Sequence, residues 1–188
     1  VPAPGADSTP CAAIATATAA LAAPFTAAAL AAAGPSVASD ASAVARAALE
    51  GLTPVAITGG ALSSVRPSGN DPRDWPNCAD GSTSTICHTQ EGESRAWVRL
   101  YFNASRLDVV RIYNRHDSGR HKLASHSISY RTASGSWVEC AHAWAPSEVG
   151  PFATPCQAEV ATGVEVRQDD LANSLNLAEV QPFVYPSP

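Results

Sequence analysis

Methionine is absent from all 188 residues. A chain without it is expected to be a processed or excised segment, with Val1 following a removed signal or a cut from a larger chain. Basic runs are missing too, none longer than two residues, and the net charge is −5. That excludes the electrostatic footprint of a nucleic-acid-binding protein. Neither C-x-x-C nor metal-finger spacing occurs among the five cysteines, so a disulfide role is the better reading. No G-x-S-x-G is present, no nucleophile is set beside a base, and His121, His126 and His142 form no metal-ligand pattern. A catalytic role is therefore not expected, and a hydrolase is the weaker alternative.

Charge is also absent between Asp7 and Asp40. Alanine dominates this region, and alanine is the best helix former. Pro10 suits a first turn, while Pro24 and Gly34-Pro35 interrupt. Ser39 or Asp40 caps a last helix, with Gly51 just past its end. Residues 12–33 have the length of a membrane span. Ala and Thr are only weakly apolar, however, and Pro24 breaks the run, so a small helical hairpin is expected instead of a span. Residues 1–53 are accordingly read as an Ala-rich helical segment.

From Pro54 the texture changes to Gly, Ser, Thr, Val and aromatics in short alternating runs, the pattern of an all-β sandwich. Strands are expected at Val55–Ile57, Arg95–Phe102, Asp108–Asn114, Ser125–Arg131, Val160–Arg167 and Leu175–Phe183. Ala133-Ser134-Gly135-Ser136 reads as a turn. The domain is expected over residues 54–185, with 186–188 opening a proline-rich linker. Cys78 and Cys87 flank a short Gly/Ser/Thr loop, and Cys140 and Cys156 a Pro-rich excursion. Each pair is expected to be bridged, leaving Cys11 free or bonded to a missing partner. Asn103-Ala104-Ser105 is a glycosylation acceptor expected in a turn. With the cysteines it points to an extracellular setting.

The richest stretch runs from His88 to Lys122. Twenty-six residues separate His88 from Arg115, one separates Arg115 from Asp117, and four separate Asp117 from Lys122. Two antiparallel strands joined by a turn would bring these ends together. One imidazole and two cations would then face one patch beside a carboxylate, a donor set suited to a neutral, hydroxyl-rich ligand.

This spacing resembles the fucose-binding motif of F-type lectins (fucolectins). Trp97-Val98-Arg99-Leu100 and Val110-Arg111-Ile112-Tyr113-Asn114-Arg115 resemble two of that family's strands. Leu175-Asn176-Leu177-Ala178-Glu179-Val180 resembles a closing strand shared with discoidin-type domains. The resemblance covers about Pro54 to Tyr185. It implies a galactose-binding-like β-sandwich, or jelly roll, that binds fucose- or galactose-type glycans. In it Arg115 and Lys122 would donate to sugar hydroxyls, His88 would bond through a ring nitrogen, and Asp117 would hold Arg115 in place. Many members carry two adjacent cysteines as an apolar platform for the sugar. This chain has Ser118 and Gly119 there, and Trp75, His116 or Tyr113 is expected to supply any stacking face.

The stretch Asn77-Cys78-Ala79-Asp80-Gly81-Ser82 resembles the same family's calcium loop. The resemblance implies Asn77, Asp80, Ser82, Thr85 and Glu179 as oxygen ligands of a structural Ca²⁺. The plainer reading of this stretch is an Asx-type turn. A discoidin-like adhesion or assembly module without sugar is the main alternative function, and a carbohydrate-binding module attached to an enzyme is a third.

Overall fold

The computed structural model describes residues 51–67, 73–123, 125–144, 148–169 and 174–186. The chain divides into two units, Val1–Ala47 and Ala48–Pro188, and the described residues belong to the second. The expected helical segment (apart from residues 51–53), Cys11 and residues 187–188 lie outside the described residues.

Nine strands form. They are β1 (Thr53–Pro54), β2 (Ile57–Leu62), β3 (Cys87–His88), β4 (Trp97–Tyr113), β5 (Ser125–Arg131), β6 (Trp137–Trp144), β7 (Phe152–Gln168), β8 (Asn176–Leu177) and β9 (Glu179–Val184). The described helical turns are short 3₁₀ segments at Trp75–Cys78 and Ser118–Lys122. Every strand pairing among the described residues is antiparallel.

The architecture follows from two long strands. In β4, Val98, Leu100 and Phe102 point inward and alternate with Trp97, Arg99 and Tyr101. This half pairs with β2 and with the second half of β7. The other half of β4, Val109 to Tyr113, pairs with β9, and its residues Val109–Ile112 also face the first half of β7. Strand β5 then joins β7 to β6. One hydrogen-bonded network thus runs through both layers of a β-sandwich. Leu100, Leu107, Ile112, Ile128, Val164, Val166 and Leu177 are all buried in a single core. Each such aliphatic side chain contributes about 2 kcal/mol of burial.

The turn expected at Asn103-Ala104-Ser105 does not form. β4 passes straight through it as one 17-residue strand. Three register shifts against β7 fall between Tyr101 and Val109, and Asn103 and Ala104 are both exposed. The segment holds no Gly or Pro and no residue of positive φ, so nothing forces a reversal. Extra residues are taken up as bulges, and the strand bends from one layer to the other. Asn103 keeps its exposure but sits on a strand. The early strand is also shifted, from the expected Val55–Ile57 to β1 and β2. Strand β6 escaped the sequence reading, and β7 begins at Phe152, well before Val160. The turn at 133–136 does form, closed by Thr132 N–H to Ser136 O at 2.8 Å, with Gly135 at φ +91°.

Both expected disulfides are present, Cys78–Cys87 with Cα atoms 5.3 Å apart and Cys140–Cys156 at 4.8 Å. The first pair is fully buried in the core.

Candidate functional site

One end of the sandwich collects most of the singled-out residues, by a route the sequence did not suggest. β3 pairs with β8, setting Cys87 opposite Leu177 and His88 opposite Asn176. Thr89 locks this pairing, donating its N–H to Leu175 O at 3.0 Å and accepting from Leu175 N at 2.9 Å. Directly after β8, Ala178 N–H bonds Tyr113 O at 2.9 Å, at the end of β4. The small β3–β8 ladder therefore carries His88 to the end of β4, where Arg115 leaves the sheet. A hairpin between the halves of β4 has no part in it.

Beyond β4 the chain is held by Asn114, which is fully buried. Its side-chain Nδ2 donates to Arg120 O at 2.7 Å and to Glu148 O at 3.2 Å. Its Oδ1 accepts from Arg115 N at 2.9 Å. Asp117 caps the following 3₁₀ turn, accepting from Gly119 N at 3.0 Å. The same carboxylate takes a short bond from Arg115 Nη2. The Arg115 pairing holds Asp117 well below the usual carboxylate range, with the Gly119 bond adding to it. Asp117 thus pairs with Arg115 across one intervening residue.

Gly119 lies over that guanidinium. A Cβ at this position would come within 2.8 Å of Arg115 Cζ and Nη1. A cysteine could not occupy position 119 with Arg115 where it is. Arg115 lines an open cleft of about 570 Å³ together with Arg73, Thr85, His116 and Asp117. His116 is the expected stacking candidate that faces this cleft. Trp75 packs instead on Gly60, whose hypothetical Cβ would meet the indole at 2.6 Å, and it joins the core.

His88 and Lys122 do not line the cleft. They meet each other through Glu91, a residue the motif does not contain. Lys122 Nζ donates to both Glu91 oxygens at 2.8 Å. Arg66 Nη1 reaches Glu91 Oε1 at 2.8 Å and lies 3.5 Å from His88 Nδ1. Arginine can only donate, so Nδ1 is the lone-pair nitrogen and Nε2 carries the hydrogen. That hydrogen faces Ser174 Oγ at 3.3 Å, which in turn donates to Glu91 Oε2 at 3.1 Å. His88 is fully buried. Burial, then the cation Arg66, push its pKa down to about 4, Glu91 only partly opposing them. The imidazole is neutral at physiological pH, with an N–H to offer.

The loop implied for calcium is a second cluster. Asp80 Oδ1 accepts from Ser82 N at 2.8 Å, and its Oδ2 accepts from Thr85 Oγ1 at 2.7 Å. Asn77 donates its Nδ2 to Ile86 O at 3.2 Å. Glu179 arrives from β9 and accepts from Gly81 N at 3.2 Å. Its other oxygen, Oε2, is buried without a hydrogen-bond partner. Burial first, with the Asp80 charge adding, pushes the Glu179 pKa up to about 7. Asp80 thus bonds the Thr85 hydroxyl, and Glu179 closes onto the same loop with one oxygen orphaned. Among the described residues no three His, Cys, Asp or Glu side chains gather. The donor set is all oxygen and suits a hard cation, not zinc.

Ser125, His142 and Asp169 also meet, unnoticed in the sequence. Ser125 Oγ lies 2.9 Å from His142 Nε2 and donates to Asp169 Oδ2 at 2.6 Å. Asp169 lies 3.2 Å from that same Nε2. A hydrolytic relay needs the carboxylate on Nδ1 and the serine on Nε2, so this is not one.

No protein-family model and no curated protein matches the chain. Solved structures do. A Streptococcus pneumoniae fucose binding module superposes with a TM-score of 0.60 at 21% identity, over 71% of this chain and 96% of that one. The lectin domain of lectinolysin complexed with Lewis B antigen gives 0.60 at 19%, over 69% and 93%. A fucolectin from striped bass (Morone saxatilis) serum gives 0.58 at 19%, over 68% of this chain and 45% of that one. The described domain has the galactose-binding-like β-sandwich fold of these lectin modules.

Proposed function

We propose that the domain binds fucose- or galactose-type sugars on extracellular glycans and that a calcium ion holds its binding end in shape. The observation that carries this is the junction of β3, β8 and the end of β4. It gathers a neutral imidazole, Lys122, and an Arg115 steered by Asp117 at one end of a fold used by fucose-binding modules. Arg115, its side chain 11% exposed, lines the cleft. Charge-assisted bonds from it to vicinal hydroxyls would each add about 1.5–3 kcal/mol.

Asp80, Ser82, Thr85 and Glu179 would hold the calcium ion, with Asn77 bracing the loop. When bound, it would neutralise the facing carboxylates and fix the chain that leads into His88. The two disulfides fit an oxidising compartment.

Two features favour a second reading, a discoidin-like adhesion or assembly module without sugar. His88 is closed off from solvent, and Ser118-Gly119 offers no apolar platform. A glycan array at high display density separates the two readings. Fucosylated or galactosylated ligands should bind, and Arg115→Ala should abolish binding while leaving the melting temperature intact. Silence across the array, or binding that survives Arg115→Ala, would remove the lectin reading.

A further inference from the structure

Glu91 occupies the donors that a ligand would otherwise use. A carboxylate has about four lone-pair positions. Lys122 takes two of them, Arg66 a third and Ser174 the fourth. His88 Nε2, the N–H nitrogen, lies 3.8 Å from Glu91 Oε1. The carboxyl side chain is 48% exposed, whereas the imidazole beneath it is wholly buried. Two permanent cations and a hydroxyl, itself held by the imidazole N–H, make a cradle for a carboxylate. The chain fills it with a side chain of its own.

We propose that Glu91 is a specificity residue of the sugar site, the built-in occupant of a carboxylate cradle, and that it shuts out acidic sugars such as uronates. This rests on the lectin reading above. An incoming uronate must displace Glu91 and leave one carboxylate beside another near Arg66 and Lys122. Like charges brought together in this way exclude a ligand without changing any attractive contact. A neutral sugar replaces donor bonds one hydroxyl at a time and meets no such repulsion. Glu91 sits in an exposed turn outside the core, so replacing it does not touch the packing.

The test compares galacturonate with galactose on the intact chain, by titration followed by NMR. In Glu91→Ala the affinity ratio of galacturonate to galactose should rise by about ten-fold or more over the original protein. Glu91→Gln, which keeps the shape and drops the charge, should raise it in the same direction and guards against a folding artefact. Adding Arg66→Ala to Glu91→Ala should cancel the gain. An unchanged or lower ratio in both single variants overturns the proposal, as does a gain that ignores Arg66→Ala. If Glu91→Ala takes up galacturonate while neither protein binds any neutral sugar, the cradle stands and the lectin reading falls.

Discussion

Glu179 and Gly81 stand 98 residues apart in the chain and are joined by a 3.2 Å hydrogen bond, from the Gly81 N–H to Glu179 Oε1. This bond closes the 77–85 loop onto β9. It also brings the Glu179 carboxylate close enough to Asp80 for their charges to oppose one another.

The first prediction follows from that pair. Folded without an ion, Glu179 is held at about 7 against an ordinary 4.5. The folded chain therefore binds a proton that the unfolded chain has released. This part of the stability is complete below pH 4.5 and is lost as pH rises through 7, on the order of 3 kcal/mol in all. A chelated sample should show this decline in thermal melts. Glu179→Gln should flatten it. Calcium should raise the melting temperature of the unaltered chain at pH 7.5 and leave Glu179→Gln unmoved. Equal melts with calcium and with chelator would remove the ion.

A second pH effect has the opposite sign. His88 is held at about 4 against an ordinary 6.5. Between these values the unfolded chain takes a proton that the folded chain refuses. Stability from this group is present above pH 6.5 and is lost as pH falls through 4, again on the order of 3 kcal/mol. NMR titration of the imidazole should find it neutral at pH 6. A midpoint near 6.5 would mean that the ring is not buried in solution.

Gly119→Ala tests the seating of Arg115. The new methyl would stand 2.8 Å from the guanidinium, the far end of a side chain that can swing aside. The stability cost should stay below about 1 kcal/mol. The Arg115–Asp117 pair should open, and glycan binding should weaken with it. Binding at full strength would mean that Arg115 does not act from its observed position.

The two disulfides should differ in weight. Cys78–Cys87 is buried in the core, and Cys140–Cys156 is only partly covered. Removing either should cost about 2–4 kcal/mol through the unfolded chain. Replacing the first pair with alanines adds a packing loss, so its denaturant midpoint should fall further than that of the second.

The strand pattern was legible locally because alternation of apolar residues reports which face of a strand is buried. Val98, Leu100 and Phe102 needed nothing else, and neither did Gly135 in its turn. The short cysteine separations likewise sufficed for both bridges. The tertiary structure alone decided the rest. Asn103-Ala104-Ser105 reads as a reversal until β7 is seen running beside it, absorbing the extra residues as bulges. The motif named His88, Arg115, Asp117 and Lys122, but spacing carries no direction. The β3–β8 ladder, not a hairpin, brings His88 to Arg115. Glu91 had no signal in the motif, because an acid becomes part of a site only when Lys122, Arg66 and Ser174 converge on it from distant stretches of chain. Residue types determined which chemistry was on hand. Long-range pairing, whose contacts lie tens of residues apart, decided which of those groups meet and which are buried.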